Sequence, residues 1–183
     1  MGGLAALTLT SAGAAVATLW LALLIDRTQG EPPVRWHPVV WMGHYLGWTG
    51  RRIAPQDASA LKADYGRFVA GMLAWCVGAG MVTGVALALQ WAANQLPPWA
   101  AVLVMGIALK PLLAWRMLRL EVLAVERALG ESLDAGREQL SYLVSRDVTW
   151  LNESLVRESA IESLAENLSD SVVAPIFWFV VAG

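Results

Sequence analysis

The chain has very few residues that could form covalent cross-links or soft metal sites. Its single cysteine, Cys76, lies inside an apolar run. One thiol excludes a disulfide framework within the chain and a thiolate metal site. Charged residues make up only 15% of the chain, and the formal net charge is −2. This charge balance gives no sign of a nucleic-acid partner, so we expect none.

Familiar motifs for nucleotide binding and metalloprotease chemistry are also absent. The chain contains no Walker loop, no GxGxxG fingerprint and no HExxH pair. Any chemistry that uses a nucleotide would therefore need a site of another kind, built from residues that these motifs do not describe.

Long apolar runs are what the chain has in abundance. Hydrophobic residues make up 57% of it and the mean hydropathy is +0.51, as is typical of a multi-span membrane protein. We predict an all-α, multi-span integral membrane protein with cytoplasmic amphipathic helices. No internal repeat or linker divides residues 1–183, which we therefore interpret as a single domain. The predicted spans are residues 4–25, 68–89 and 99–118, with a partial span from 172.

Basic residues orient these spans. Two segments carry nearly all of them: Arg27, Arg35, Arg51, Arg52, Lys62 and Arg67 before the second span, and Arg116, Arg119, Arg127, Arg137, Arg146 and Arg157 from the end of the third. The first three residues and the connection 90–98 carry no charge. The positive-inside rule places both basic segments in the cytoplasm and the N-terminus outside. Lys110, toward one end of the third span, is able to extend to the membrane interface.

The first basic segment contains both histidines. Residues 26–44 read DRTQGEPPVRWHPVVWMGH, and proline and glycine in this stretch predict a shaped loop. His37 and His44, with Asp26, Glu31 and Arg35 nearby, could form a metal or proton-transfer site. The alternative is that the histidines make hydrogen bonds at the interface and that Asp26 is a plain helix-end anchor.

Residues 112–145 have the pattern of one or two amphipathic helices. Apolar residues recur at four- and three-residue spacing from Leu118 to Leu129, with arginine and glutamate on the remaining surface. We expect breaks at Gly130 and Gly136. Packing against other helices or the membrane surface is the role that this pattern favours.

A row of acids comes next. Glu158, Glu162, Glu166 and Asp170 recur every four residues, so on an α-helix they share one broad face. The face opposite is apolar, with Ile161, Leu164, Leu168 and Val172. Like charges repel, and the row runs into a membrane-like segment. It therefore needs a divalent cation, a cationic substrate group or arginines as partner. The alternative is an acidic face that is simply solvated.

Arg146 and Asp147 come shortly before the acids. They lie in the polar connection 145–150, near enough along the chain to help build a site with the acidic row. A structural ion pair between the two is the other interpretation. Thr149 or Asn152 is placed to cap the helix that carries the acids.

Two stretches of the chain resemble a known family. Asp26 followed by GEPP, WHPV and MG is similar to the opening signature of the adenosylcobinamide-phosphate synthase family (CobD/CbiB). Arg146–Asp147, followed by IESLAENLSD and VAPIFW, is similar to its central signature. Together they span residues 20–180. Because family members continue further, the resemblance implies a truncated product, or one half of a split enzyme completed by a second polypeptide or a homo-oligomer.

The resemblance implies a ligase of cobalamin biosynthesis in the bacterial inner membrane. Such an enzyme joins aminopropanol, or its phosphate, to a propionate of a corrinoid, converting cobyric acid to cobinamide with ATP and Mg²⁺. It implies the following roles: Glu162, Glu166 and Asp170 as metal ligands; Asp26, His37 and Asn167 as catalytic residues; and Arg35, Arg146 and Asp147 as substrate-binding residues.

A non-enzymatic membrane protein, such as a transport component or an assembly scaffold, is the alternative. Acids within a membrane mark ion pathways as readily as active sites. Acids on the cytoplasmic side of the last apolar run favour the enzyme, whereas acids that face a transmembrane cavity favour transport.

Overall fold

A computed structural model describes residues 2–54 and 64–182, with side chains for 12–54 and 64–181. Every regular element in these ranges is helical, which confirms the predicted all-α fold. The α-helices are α1 (Gly2–Gln29), α2 (Pro38–Ile53), α3 (Tyr65–Ala93), α4 (Pro98–Leu109), α5 (Trp115–Glu131), α6 (Leu133–Ser141), α7 (Glu153–Leu168) and α8 (Ala174–Ala182). The shorter elements are 3₁₀ helices at Val34–Trp36 and Lys110–Leu112 and a π-helix at Ser169–Val173.

Contacts between helices divide the chain into two units. The first comprises Met1–Glu31 and Pro98–Gly183, and the second comprises Pro32–Pro97. In the first unit α1 packs on α4, and α5, α6 and α7 pack on one another; in the second, α2 packs on α3. The interpretation of residues 1–183 as a single domain stays a prediction.

Three helical stretches of the described chain are long and apolar enough to cross a membrane: Tyr65–Ala93, Pro98–Glu131 and Glu153–Val181. The first two contain the predicted spans 68–89 and 99–118. Together with the composition, these stretches make the chain a multi-pass membrane protein.

The remaining two span predictions stay predictions. The apolar run from residue 172 lies at the end of one continuous helical stretch of 29 residues, in which the π-helix joins α7 to α8. Residues 4–25 lie in α1. The side chains of residues 2–11 lie outside the described part, so this span stays a prediction.

A core of apolar side chains holds α5, α6 and α7 together. It consists of Val125, Leu129, Leu140, Val148, Leu151, Val156 and Ala160. The expected break at Gly136 is wrong, because this residue lies inside α6, whereas Gly130 lies one residue before the end of α5, next to the break. The break lies at Ser132, whose hydroxyl oxygen accepts the N–H of Ala135 at 3.1 Å and caps α6. The cytoplasmic location of these helices stays a prediction.

α7 buries its predicted apolar side only in part, since Leu164 and Leu168 are half-buried. Val156, Ser159 and Ala160 are buried, whereas Ile161 is 61% exposed. The reason is that α7 contacts α5 and α6 through the small residues of its first half. Asn152 caps this helix as predicted, its Oδ1 accepting the N–H of Leu155 at 2.9 Å.

The chain from Pro38 onward is helical, so the predicted loop over residues 26–44 is wrong there. Proline is favourable in the first turn of a helix because its missing N–H has no helical partner at that position. Packing on α3 then stabilises α2 despite its glycines: the Tyr45 hydroxyl donates to the carbonyl oxygen of Ala74 at 2.7 Å. The loop pattern was outweighed by this tertiary contact.

Candidate functional site

A group of charged residues lies where the end of α1 meets the start of α5. Asp26 is fully buried and Lys110 is 5% exposed. The Lys110 ammonium nitrogen lies 3.3 Å from Oδ1 of Asp26 and 3.3 Å from Oε1 of Glu31. The backbone N–H of Arg116 donates to Oδ2 of Asp26 at 3.0 Å. We call these four residues the α1 charged cluster.

The end of α1 is shaped to bring these groups together. Gly30 has a φ of 72° and its N–H donates to the carbonyl oxygen of Asp26 at 3.0 Å, which ends the helix. Nη1 of Arg116 donates to the carbonyl oxygen of Thr28 at 2.6 Å. A side chain at Gly30 would be strained at this φ, and its Cβ would lie 3.3 Å from Nη1 of Arg116. The left-handed glycine therefore sets the direction in which Glu31 leaves the helix.

The facing half of the cluster comes from a break in the α4–α5 stretch. A 3₁₀ helix, Lys110–Leu112, replaces the α-helix there, and Pro111 supplies no N–H to continue it. The N–H of Ala114 instead donates to the carbonyl oxygen of Ser171 in the π-helix at 3.2 Å. The break and the π-helix thus satisfy each other's backbone groups, and π-helices occur frequently at functional sites.

Burial makes the Asp26–Lys110 contact energetically sensitive. Removing one partner of a buried ion pair leaves an uncompensated charge and typically destabilises a protein by about 3–5 kcal/mol. The interpretation of Asp26 as a plain helix-end anchor is wrong because the residue is fully buried. Likewise Lys110 does not extend to the interface, because it is buried against Asp26 and Glu31.

Sequence reasoning missed the role of Lys110 in the cluster. The signal that could have found it is its isolation: it is the one charged residue between Trp99 and Trp115. An ionisable residue inside a membrane span usually has a polar partner in the protein interior. Asp26, at the end of another predicted span, was the available acid.

The acidic row forms the second charged region, and it is exposed. Glu158, Glu162 and Glu166 lie on α7, whereas Asp170 lies in the π-helix. A π-helix has more residues per turn than an α-helix, so the four acids do not follow one α-helical face to the end. All four side chains are exposed, and only Glu162 forms an ion pair among the described residues, with Arg146.

Two further predicted site residues lie beside this row. Arg146 donates from Nη2 to Oε2 of Glu162, which brings together one predicted substrate-binding residue and one predicted metal ligand. Asn167 donates from Nδ2 to the carbonyl oxygen of Ser163 at 2.8 Å. That bond leaves the Asn167 amide oxygen for another donor or a cation. We call these residues and the acids the α7 acidic row.

Asp147 is separate from the row and does not pair with Arg146. Its Oδ1 accepts the N–H of Thr149 at 2.9 Å and the Thr149 hydroxyl at 2.7 Å. These bonds stabilise the carboxylate and hold the pKa of Asp147 below its usual value. The interpretation of Arg146 and Asp147 as a structural ion pair is therefore wrong.

Arg35, His37 and His44 belong to the second unit. The backbone oxygen of Arg35 accepts the indole N–H of Trp41 at 2.9 Å, and His37 is the N-cap residue of α2. His37 is half-buried and His44 is exposed. The substrate-binding role of Arg35 and the catalytic role of His37 stay predictions.

No three His, Cys, Asp or Glu side chains within residues 2–54 and 64–182 lie close enough together to hold a metal ion. Mg²⁺ often takes only one or two protein carboxylates and completes its shell with water and substrate phosphates. Glu166 and Asp170, exposed and one turn apart, fit that smaller requirement. Glu162 would first have to leave Arg146. Metal binding by the three acids stays a prediction.

Comparison with known proteins extends over nearly the whole chain. The family described as CobD/Cbib protein matches residues 19–183. A probable cobalamin biosynthesis protein CobD of Methanothermobacter thermautotrophicus is 35% identical over 168 residues, which cover 92% of this chain and 52% of that protein. Cobalamin biosynthesis protein CobD of Brucella anthropi is 38% identical over 172 residues, 90% of this chain and 50% of that protein.

The chain spans about half the length of these curated relatives. No solved structure matches it. The family match covers Asp26, Lys110 and the α7 acidic row, so both charged regions lie inside the matched part. The resemblance seen in the two sequence signatures is thus confirmed: the chain belongs to the CobD/Cbib family.

Proposed function

We propose that the protein acts in cobalamin biosynthesis, as part or all of an ATP-dependent amide ligase. The observation that carries the proposal is the family match across residues 19–183. Relatives that share 35–38% of their residues with this chain are named cobalamin biosynthesis proteins. The substrates would be a corrinoid propionate and aminopropanol or its phosphate, with ATP as co-substrate.

The reaction class follows from the chemistry of the carboxylate. A propionate is a poor electrophile at neutral pH, so it needs activation before an amine can attack it. Transfer of the γ-phosphoryl group of ATP to the propionate gives an acyl phosphate and ADP. The neutral amine then attacks the carbonyl carbon, phosphate leaves, and the amine loses a proton as the amide bond forms.

The α7 acidic row is the part of the structure that suits this chemistry best. Glu166 and Asp170 would hold Mg²⁺, with Glu162 joining them if Arg146 moves to a phosphate, and Asn167 would assist through its amide oxygen. Bound Mg²⁺ would neutralise charge on the ATP phosphates. Arg146, whose planar guanidinium matches carboxylate and phosphate oxygens, would then bind ATP or the corrinoid. Asp147 would hold the connection before α7 in place through its bonds to Thr149.

Asp26 has a positioning role in this proposal rather than contact with the reacting atoms. Its carboxylate is fully buried and is engaged by Lys110 and Arg116. It would hold the end of α1 against the start of α5. Arg35 would bind an anionic substrate group, and His37 would take the proton that the amine releases.

We place the protein in the bacterial inner membrane with its N-terminus outside, on the positive-inside rule. Cysteine labelling in intact cells tests the orientation in a Cys76→Ser background. A cysteine at Asp134, whose side chain is 92% exposed, should react only after the membrane is permeabilised. Labelling of that position from outside in intact cells would reverse the proposed topology.

The activity test measures the amide product by mass spectrometry in membranes supplied with cobyric acid, the amine, ATP and Mg²⁺. The chain is assayed alone and together with the uncovered half of the Brucella anthropi relative as a second polypeptide. Product that requires ATP in either preparation supports the proposal. A homo-oligomer would give product without the added half.

The matched control is the Brucella anthropi relative, assayed intact and split at the corresponding residue. Product from the split relative shows that halves can reassemble in these membranes. If the split relative is active but this chain gives no product, either alone or with the added half, the proposed ligase function is wrong.

A further inference from the structure

One side of α2 is fixed by protein contacts. Pro38, Met42, Tyr45, Thr49 and Ile53 recur at three- and four-residue spacing and are partly or fully buried. The Tyr45 ring fits against α3 only because position 78 is glycine: a Cβ there would lie 2.8 Å from the ring. This side of the helix therefore packs closely on α3.

The remaining surface of α2 is apolar or basic, and it has no acid. The side chains of Val39, Trp41, Leu46 and Trp48 are 49–51% exposed. Residues 32–54 contain no Asp or Glu, whereas Arg51 and Arg52 end the helix. The Arg52 guanidinium lies 3.9 Å above the ring of Trp48. Exposed tryptophan beside arginine is typical of the membrane–water interface.

The contact with α3 shows what covers this surface. α3 lies within a stretch long and apolar enough to cross a membrane, Tyr65–Ala93. Ala74, which accepts the Tyr45 hydroxyl, lies nine residues after Tyr65, or about 14 Å along the helix at 1.5 Å per residue. It is also about 9 Å beyond Phe68, the first residue of the uncharged run. Tyr45 therefore contacts α3 at the depth of lipid rather than beyond it.

The basic end of α2 can reach the headgroups from that depth. Arg51 and Arg52 follow Tyr45 by six and seven residues, about 9–11 Å along the helix. Basic side chains at headgroup depth attract anionic phospholipids.

We infer that α2 is embedded in the membrane interface and that Arg51, Arg52 and Trp48 bind the phosphate of an anionic phospholipid. The surface is independent of the proposed ligase chemistry, because it uses none of the residues assigned to that reaction. Phosphatidylglycerol is a suitable probe, since it carries one negative charge and differs from neutral phosphatidylcholine in its headgroup.

Depth is tested by fluorescent labels on single cysteines in a Cys76→Ser background. Position 46 reports on α2, and position 141, exposed on α6, is the matched control. In phosphatidylcholine nanodiscs with nitroxide in the upper acyl chain, the label at 46 should be quenched more than the label at 141. Equal quenching of both labels by iodide in the water phase would overturn the interfacial placement.

Lipid binding is tested by native mass spectrometry of the purified protein with added phosphatidylglycerol. Each basic residue near a membrane surface strengthens binding roughly fivefold, so R51Q/R52Q should weaken it by about 25-fold. R51K/R52K keeps both charges and should therefore bind more tightly than R51Q/R52Q, although lysine offers no planar fork to the phosphate. R119Q/R127Q removes two exposed arginines from α5 and should leave the dissociation constant unchanged.

Each remaining outcome of the lipid experiment contradicts the inference. If R51Q/R52Q binds phosphatidylglycerol like the wild type, the assigned site is wrong. An equal loss of affinity in R119Q/R127Q would show that binding depends only on the overall positive charge. Competition by millimolar inorganic phosphate would show a site for a soluble phosphate instead. A thermal unfolding transition of R51Q/R52Q equal to that of the wild type shows that its loss of binding is not caused by misfolding.

Discussion

The α1 charged cluster and the α7 acidic row use the same kinds of residue in opposite environments. Asp26 and Lys110 are almost completely buried, whereas the Arg146 and Glu162 side chains are 48% and 64% exposed. In the cluster, each charge depends on its partner because water cannot replace it. In the row, the paired side chains are about half exposed, so they can exchange partners at a lower cost than the buried pair.

This difference separates what holds the fold from what is free to bind. The cluster joins α1 to the break before α5, and the left-handed Gly30 and the Arg116 contacts leave it little freedom. The carboxylates of the row make few ion pairs or hydrogen bonds with the rest of the described chain. A site that must take up Mg²⁺ and phosphate needs such groups, since ligands already committed to buried partners would first have to be released.

Substitution of Lys110 should have the largest effect on stability, and it tests whether the buried cluster holds the fold. Lys110→Met leaves the fully buried Asp26 without its ion-pair partner, and we expect a loss of about 3–5 kcal/mol in the free energy of unfolding. Thermal unfolding of the purified protein in detergent measures it. The double variant Asp26→Asn/Lys110→Met removes both charges and should recover much of the loss. A single variant within about 1 kcal/mol of wild type would contradict the buried pair.

Gly30 gives the next largest effect. Gly30→Ala places a side chain at a φ of 72°, which costs about 1–2 kcal/mol for an L residue. Gly130→Ala is the matched control, because it lies inside α5 with open space around its Cβ and should be neutral or stabilising. Equal destabilisation by both alanines, measured by the same unfolding experiment, would show that the backbone at Gly30 is not special.

The exposed ion pair should be worth much less. Arg146→Gln breaks the contact with Glu162, and we expect the free energy of unfolding to change by no more than about 1 kcal/mol. Raising the salt concentration should shrink even that difference. A loss as large as that of Lys110→Met would show that the row is structural and would remove the distinction between the two regions.

Asp147 gives the smallest effect, and it depends on pH. The Thr149 bonds lower the pKa of the folded-state carboxyl, so its contribution is present above the unfolded pKa of about 3.9 and is lost as pH falls through the folded value. Wild type should therefore be more stable than Asp147→Asn at pH 7, with the difference vanishing in acid. A difference that grows on acidification would reverse the sign and contradict the assignment.

The sequence was informative where a single local rule decides the structure. The apolar runs 68–89 and 99–118 lie in two of the long helical stretches, and Asn152, one of two candidates by residue type, caps α7. Four-residue spacing placed Glu158, Glu162 and Glu166 on one helix. These features depend on residues within one or two helical turns of each other, so the local sequence is enough to predict them.

Features that depend on distant partners were not predictable in the same way. Lys110 contacts Asp26 across 84 positions of the chain, and the N–H of Ala114 donates to the carbonyl oxygen of Ser171 in the π-helix. α2 is helical despite its proline and glycine content, because Tyr45 packs on α3. The exposed face of Ile161 likewise reflects which side of α7 meets α5, a choice that periodicity alone does not make.

The Mg²⁺ dependence of Glu166→Gln tests the central claim, that the exposed row and not the buried cluster carries the chemistry. Amide formation is measured against Mg²⁺ concentration in membranes where wild type is active, with Glu158→Gln as the matched control from the same row. We predict at least a tenfold loss of activity and a higher half-saturating Mg²⁺ concentration for Glu166→Gln, with unchanged thermal stability and a near wild-type control. Activity and Mg²⁺ dependence equal to wild type in Glu166→Gln would contradict the account.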